Sequence, residues 1–396
     1  MSGPLPADQG ARERFAREIG ANVSLIAPAG VGKTHSIVGH IIGVAAGDNP
    51  RAMEWLPRLV VVTYTNSAAE EMRQRARLAI IASGARGAAL AQFNRAFFGT
   101  IHSFCVMLLQ RHGHHLGLPP GLEILEEGDI DALWQGFLRR GRWRVGSLSP
   151  ANAEALFRRV PMQEVLGLAR GAPMLPSRDP GAPPGVDAGP VLGFPAKGGG
   201  KANILLGQRL VRRWMAADAA GEPYAPLPEC PGDSKPFHEA WAEAFGPLRD
   251  WLGMASWAVA REIAGAFREH RLGGGRITYD DQVALAGQLM RHPEAAAAIR
   301  AEGYRVILDE AQDTDRDQFV VLTEVAREVG ASGVWMEGAD GGPGPGRFAM
   351  VGDPQQSIFG RRASLASYAD LRERLVADGA REISLDVTFR FRSGIA

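Results

Sequence analysis

The sequence predicts an α/β chain whose parallel sheet is interrupted by an inserted, mainly helical subdomain. Three observations carry that prediction. Six short apolar runs recur at Val23–Ala27, Leu59–Thr63, Phe97–Thr100, Val306–Leu308, Phe348–Val351 and Ile383–Leu385. They are rich in Val and Ile without alternation, which suits strands buried on both faces of a parallel sheet. Helical patterns follow at least two of them, Lys33–Val44 and Ser67–Ile81, giving the strand-then-helix order of a doubly wound domain. Residues from about 111 to 275 hold no clear buried strand but carry helical stretches such as Asp129–Arg140 and Trp241–His270.

Taken in order, these elements give three parts: 1–111 as the first portion of the sheet domain, 112–275 as the helical insertion, and 276–396 as the second portion. Within the insertion, residues 171–200 hold 8 Gly and 7 Pro, which reads as a long, poorly ordered loop. A second breaker cluster, Gly338–Gly346, has 5 Gly and 2 Pro in 9 positions and reads as an extended hairpin or loop before the Phe348 strand.

Composition narrows the functional classes. Lys+Arg 44 equals Asp+Glu 44, so no global field announces nucleic acid or membrane. No run of 18 apolar residues exists, and the N-terminus lacks an apolar segment before its charges, so neither a membrane span nor a secretory signal is expected. Two cysteines, Cys105 and Cys230, cannot staple 396 residues, which fits a reducing, cytoplasmic setting.

The segment Val23-Ser-Leu-Ile-Ala-Pro-Ala-Gly-Val-Gly-Lys-Thr34 carries the strongest chemistry. A buried strand ends, the loop Ala27, Pro28, Ala29, Gly30, Val31, Gly32 turns, and Lys33-Thr34 opens a helix. Glycines let the backbone wrap a phosphate, and the helix N-terminus offers N–H groups and a favourable dipole. Lys33 is placed to reach β- and γ-phosphates and Thr34 to hold Mg²⁺. Ala27 stands where the strict pattern has its first Gly. The triplet Gly-Lys-Thr alone arises by chance in roughly one chain in five of this length; the strand before it and the helix after it favour the phosphate reading.

The second segment is Tyr304-Arg-Val-Ile-Leu-Asp-Glu-Ala-Gln-Asp313, an apolar strand delivering two carboxylates at its carboxyl end, where ligands sit in open α/β sheets. Asp309 is placed to bind Mg²⁺ through hard oxygen ligands, and Glu310 to orient and deprotonate an attacking water.

Together these segments resemble the UvrD/Rep-type superfamily 1 DNA helicases, most closely the RecB/AddA branch. Six segments in order carry the resemblance: APAGVGKT (27–34), VVTYTNSAAEEM (61–72), GTIHSF (99–104), VILDEAQDT (306–314), VGDPQQSIFG (351–360) and LDVTFR (385–390). It covers both flanks and leaves the insertion nearly unmatched. The resemblance implies a RecA-like P-loop NTPase fold, ATP and Mg²⁺ as cofactors, and 3′-to-5′ movement on single-stranded DNA in repair or recombination. Gln9 resembles the glutamine that reads adenine. Gln312 and Gln356 resemble the pair coupling the γ-phosphate to strand contacts, and Arg390 resembles the arginine that senses the γ-phosphate. Tyr64, Thr65 and Asn66 match one segment contacting single-stranded DNA, His102 and Ser103 match a second, and Phe359 resembles an aromatic on which a base stacks.

Stacking faces and polar groups suffice for single strands, so a neutral total is no objection. Core packing is the competing reading for Tyr64 and Phe359, and a satisfied structural histidine for His102. Arg361 replaces an aromatic of the family, Thr388 replaces Asn, and Phe391 interrupts an Arg-Ser ending, leaving Arg392 as an alternative to Arg390. The sequence ends at Ala396, where the resemblance places the start of a second RecA-like domain. That leads to the expectation of nucleotide binding with weak turnover unless another polypeptide supplies the second domain, and to an alternative reading as a non-hydrolysing ATP- and DNA-binding module. Leu138–Arg144 reads equally as a phosphate-contacting patch or a solvated helix end, and His112, His114 and His115 lack partners at metal-ligand spacing.

Overall fold

The computed structural model describes residues 7–45, 52–84, 87–141, 143–144, 146–171, 179–198, 200–356 and 365–388. The chain divides into two compact units, Met1–Leu125 with Gly275–Ala396, and Glu126–Gly274.

The first unit is built on strands β1 (Val23–Ile26), β2 (Leu59–Val62), β3 (Phe97–Gly99), β4 (Glu123–Ile124), β5 (Arg276–Ile277), β6 (Arg305–Leu308), β7 (Phe348–Gly352) and β8 (Arg381–Ser384). Six of them form one sheet in the order β3-β2-β6-β7-β1-β8, and every neighbouring pair is parallel. The unbroken apolar runs have the burial their composition demands: every residue of β2 and β7 is buried. Leu25, Ile37, Val61, Ile307 and Val351 sit in one core, each contributing roughly 1.5–3 kcal/mol on burial. Because all six strands point the same way, the turns after β1, β2, β3, β6, β7 and β8 emerge along one edge of the sheet. Gln9 apart, the described parts of the predicted segments lie on that edge.

Chain entry into β1 is fixed by Asn22, whose Oδ1 accepts from the Arg347 and Phe348 N–H groups at 3.1 and 3.0 Å, and whose Nδ2 donates to the Pro343 carbonyl at 2.8 Å. Gly338–Gly346 is a loop rather than a hairpin, and it wraps a buried ion cluster. Glu324 pairs with Arg300 and with Arg327, the latter at 2.9 Å, and all three are buried. Arg327 also donates to the Gly341, Asp340 and Gly333 carbonyls at 2.7, 2.6 and 2.9 Å. These carbonyls supply the partners that buried guanidinium groups require.

Residues 112–125 and Gly275, expected from sequence to belong to the insertion, group with the first unit instead. The physical reason is a two-strand pairing too short to leave a periodic signal: β4 and β5 run parallel, with Glu123 opposite Arg276 and Ile124 opposite Ile277.

The second unit consists of helices Glu127–Arg140, Pro150–Phe157, Met162–Arg170, Gly189–Leu192, Lys201–Ala219 and Lys235–Gly273. The last carries Pro247 inside it and extends beyond both ends of the predicted stretch. Trp134, Phe137, Trp214, Phe237, Trp241, Phe245 and Trp251 fill its core. Gly207 is required by this packing, since a β-carbon there would lie 2.8 Å from the Phe237 ring. The expected poorly ordered loop differs in its described part. Gln208 donates to the Val191, Leu192 and Phe194 carbonyls, and Trp251 Nε1 donates to the Gly181 carbonyl at 2.8 Å, so buried donors hold 179–198 in place.

Candidate functional site

The loop after β1 is shaped by its two glycines. Gly30 and Gly32 have φ of 78° and 84°, a left-handed region that favours glycine. Ala27 is fully buried and donates its N–H to the Gly352 carbonyl at 3.0 Å. Its φ is not positive, so a methyl group is tolerated where the strict pattern has Gly. Lys33 and Thr34 then begin helix Lys33–Ala45.

Two strands away, β6 releases Asp309 and Glu310. The Asp309 N–H donates to the Val62 carbonyl at 2.9 Å, which anchors the turn to β2. Glu310 has φ +52°, the one positive value outside glycine among the described residues, a conformation that costs about 1 kcal/mol or more. That backbone aims its carboxylate across the sheet edge, where it forms an ion pair with Lys33. Gln312 Nε2 donates to the same carboxylate oxygen at 2.8 Å. Its Oε1 accepts the Asp353 N–H at 2.9 Å, and Gln356 donates to the Asp353 carboxylate. A continuous polar chain therefore joins the turns after β1, β6 and β7. Gln312 and Gln356 meet through Asp353, a residue inside the quoted VGDPQQSIFG segment that sequence reasoning did not single out.

Burial, with the charge of Glu310 beside it, raises the Asp309 carboxyl to about 6, while Lys33 pulls the other way. Two adjacent carboxylates facing a single lysine form an acidic locus suited to a hard cation. Thr34 and Asp309 supply one hydroxyl and one carboxylate, the hard oxygen donors that Mg²⁺ would take. Among the described residues no group of three His, Cys, Asp or Glu is arranged to hold a metal by itself.

The predicted strand contacts sort by exposure. Tyr64 is 56% exposed, which excludes the core reading for it. Thr65 caps helix Asn66–Ala82, its Oγ1 accepting the Ala68 N–H at 3.1 Å, and Asn66 is the exposed first residue of that helix. Ser103 is exposed, with its Oγ 3.0 Å from Thr100 Oγ1. His102 stacks on Tyr279 with ring centroids 3.8 Å apart, and the Tyr279 hydroxyl lies 2.8 Å from its Nδ1. Tyr279 is itself 53% exposed and was missed, because a tyrosine after a helix N-cap carries no functional signal in sequence. Gln9 opens helix Gln9–Arg17, half-buried, its Nε2 donating to Glu13 at 3.1 Å. His112 lies 2.6 Å from the Glu302 carboxylate. Phe359, Arg361, Arg390 and Arg392 lie outside the described residues.

A family model for the UvrD/REP helicase N-terminal domain matches residues 9–375. The chain belongs to this family. The six-stranded parallel sheet is accordingly a RecA-like P-loop fold. This UvrD-family chain is also similar to proteins named as subunits of an ATP-dependent helicase/nuclease. With the one from Moorella thermoacetica it is 37% identical over 121 residues, 28% of this chain and 8% of the relative. With the one from Desulforamulus reducens it is 36% identical over 119 residues, 28% of this chain and 9% of the relative. With the one from a Clostridium perfringens strain it is 37% identical over 125 residues, 30% of this chain and 10% of the relative. The matched stretches thus span a tenth or less of the relatives' own length. Among the described residues no helix is long and apolar enough to cross a membrane.

Proposed function

We infer that this UvrD-family chain carries the nucleotide-binding core of an ATP-driven motor on single-stranded DNA, a helicase or translocase of 3′-to-5′ polarity working in repair or recombination. The single observation that carries this reading is the Lys33–Glu310 pair, which joins residues 277 positions apart at the carboxyl edge of a parallel sheet. Phosphoryl transfer needs a phosphate-reaching lysine and a water-activating carboxylate at one site, and this pair supports both roles at one sheet edge.

The mechanism follows from the polar chain. A γ-phosphate entering the loop 27–34 draws Lys33 away from Glu310, and the released carboxylate accepts a proton from the attacking water. Gln312 donates to the same carboxylate oxygen and stays in place when Lys33 leaves, so the carboxylate's orientation survives the exchange. Thr34 and Asp309 would hold Mg²⁺, which neutralises charge on the phosphates. Gln9 contacts the adenine edge, and Arg390 completes the γ-phosphate contacts, from this chain's own continuation or beside a second RecA-like domain supplied by another polypeptide. Tyr64 offers an exposed ring for a base and the His102–Tyr279 stack a second aromatic face; Asn66, Ser103 and Phe359 would contact the strand as well. Thr65 acts there chiefly by capping the helix that carries Asn66.

A second reading, a module that binds nucleotide and DNA without turnover, draws support from the same ion pair, since it engages both groups at once. Steady-state ATP hydrolysis with and without single-stranded DNA separates the two, with Glu310→Gln as the blank. DNA-stimulated turnover above that blank is the expected result. Retained nucleotide binding with no turnover supports the second reading. Lys33→Ala should weaken ATP binding by about 10- to 100-fold, as removal of a charge-assisted contact implies. ATP binding as tight as the parent's would refute the phosphate assignment.

A further inference from the structure

Helix Gln9–Arg17 carries a buried pair that neither the phosphate loop nor the strand contacts account for. Arg12 and Asp8 have side chains only 9% and 5% exposed. Arg12 Nε and Nη2 donate to Asp8 Oδ1 and Oδ2 at 2.9 and 2.8 Å, a bidentate fork. Arg12 Nη1 donates to the Val31 carbonyl at 2.8 Å and approaches Ser36 Oγ at 3.5 Å. Nη2 also reaches the Val387 carbonyl at 3.3 Å. These contacts match the five N–H donors of a guanidinium. Asp8 Oδ2 in turn accepts the N–H groups of Asp386 and Val387, both at 3.1 Å. Burial alone would raise the Asp8 carboxyl, but Arg12 and these N–H groups outweigh it and hold it below the usual carboxylate range.

The two backbone segments so joined are informative. Val31 lies between the two left-handed glycines of the phosphate loop, and 386–388 begins after Leu385, one residue past the end of β8, the edge strand beside β1. Thr388 Oγ1 lies 3.5 Å from the Ala29 carbonyl, a further link between the same segments. A planar fork buried between two backbones has little slack, so a shift of one pulls on the other.

We propose that Arg12 is a positioning residue that couples the phosphate loop to residues 386–388, so that nucleotide binding at the loop is transmitted to the segment leading toward Arg390. This rests on the phosphate reading above. Asp8 is the second half of the device: it orients the fork and grips the 386–387 amides. Lysine cannot replace Arg12, because a single ammonium cannot hold Asp8, Val31 and Val387 in one plane.

Amide hydrogen exchange on the 396-residue chain, with and without Mg²⁺ and a non-hydrolysable ATP analogue, tests the coupling. In the parent, the analogue should slow exchange both in the loop 29–34 and at Asp386 and Val387, the latter by about tenfold, the effect of strengthening one charge-assisted hydrogen bond. Arg12→Lys should keep the analogue-dependent protection of 29–34 and lose it at 386–387. Asp8→Asn, which retains size and replaces one acceptor by an NH₂, should do the same, so the test does not depend on one variant folding. A merely structural role would change exchange at 386–387 equally with and without the analogue. Full protection at 386–387 in both variants overturns the proposal, as does a parent in which 29–34 responds and 386–387 does not. If the parent binds no analogue at all, the phosphate reading fails, and the coupling with it.

Discussion

Gly352→Ala is a local test of the polar chain joining the turns after β6 and β7. Gly352 ends β7, and its φ lies outside the left-handed region, so alanine introduces no backbone strain. A β-carbon there would sit 2.9 Å from Gln312 Oε1 and 3.2 Å from a Tyr368 ring carbon. Ordinary contact begins near 3.4 Å, so Oε1 must retreat by about 0.5 Å. It then leaves the Asp353 N–H that it now accepts at 2.9 Å. Gln312 is 1% exposed, so the region offers little room for water as a substitute. A buried N–H left without a partner costs about 1–3 kcal/mol. Urea unfolding followed by tryptophan fluorescence should therefore show Gly352→Ala destabilised by about 2 kcal/mol. In a Gln312→Ala background the clashing oxygen is gone, and the same substitution should cost less by roughly 1–2 kcal/mol. Additive single and double variants would refute the argument, as would a Gly352→Ala protein as stable as the parent.

Glu324→Leu leaves two buried guanidinium groups without their carboxylate, so the first unit should lose about 3–5 kcal/mol, seen as a thermal midpoint lowered by roughly 6–20 °C; a loss below about 1 kcal/mol would contradict the triad's role. His40 is buried, stacked 4.9 Å from Phe15 and hydrogen-bonded to the Phe15 carbonyl at 2.7 Å. Burial lowers its pKa, against the opposing pull of that carbonyl. The unfolded chain thus binds the proton more readily, so this contribution is complete above about pH 6.5 and declines as pH falls, by up to about 1.4 kcal/mol per pH unit. His40→Phe should flatten that limb of the stability profile, and an unchanged slope would exclude His40 as its source. Tyr64→Ala should weaken binding of a labelled single-stranded oligonucleotide about tenfold or more, as loss of one stacked base implies, with nucleotide affinity and thermal midpoint unchanged; undiminished DNA binding would remove Tyr64 from the strand track.

Much of the sheet was legible because strands buried on both faces need continuous apolar runs, and such runs survive in sequence as Leu59–Val62 and Phe348–Val351. Lys33 and Glu310 were legible because each follows such a run within a short loop or turn, where the chemistry is local. The relay leading on from Glu310 was not. Gln312 meets Asp353 across two strands, a contact that depends on β6 and β7 being neighbours rather than on spacing along the chain. Arg12 was invisible for the same reason: on helix Gln9–Arg17 it reads as one more surface arginine, and only the path of 386–388 encloses it. Arg300, Glu324 and Arg327 likewise look solvated in sequence and become interior only when the glycine-rich loop folds over them. Tyr64 shows the opposite case: its motif pointed to single-stranded DNA with core packing as the competing reading, and its exposure excludes the core.

The parallel pairing of β4 with β5 bears on how the inserted unit could be exchanged or removed. Antiparallel neighbours can be closed by a two-residue turn, whereas parallel neighbours require a crossover that returns the chain to its starting end, about a dozen residues at least. The pair Glu123–Ile124 and Arg276–Ile277 therefore behaves as a socket with a minimum span. It accepts a helical unit such as Glu126–Gly274, or a flexible tether of sufficient reach, but no tight turn. A module grafted at 126–274 that spans this crossover should leave the register of β4 and β5, and with it the phosphate edge, intact.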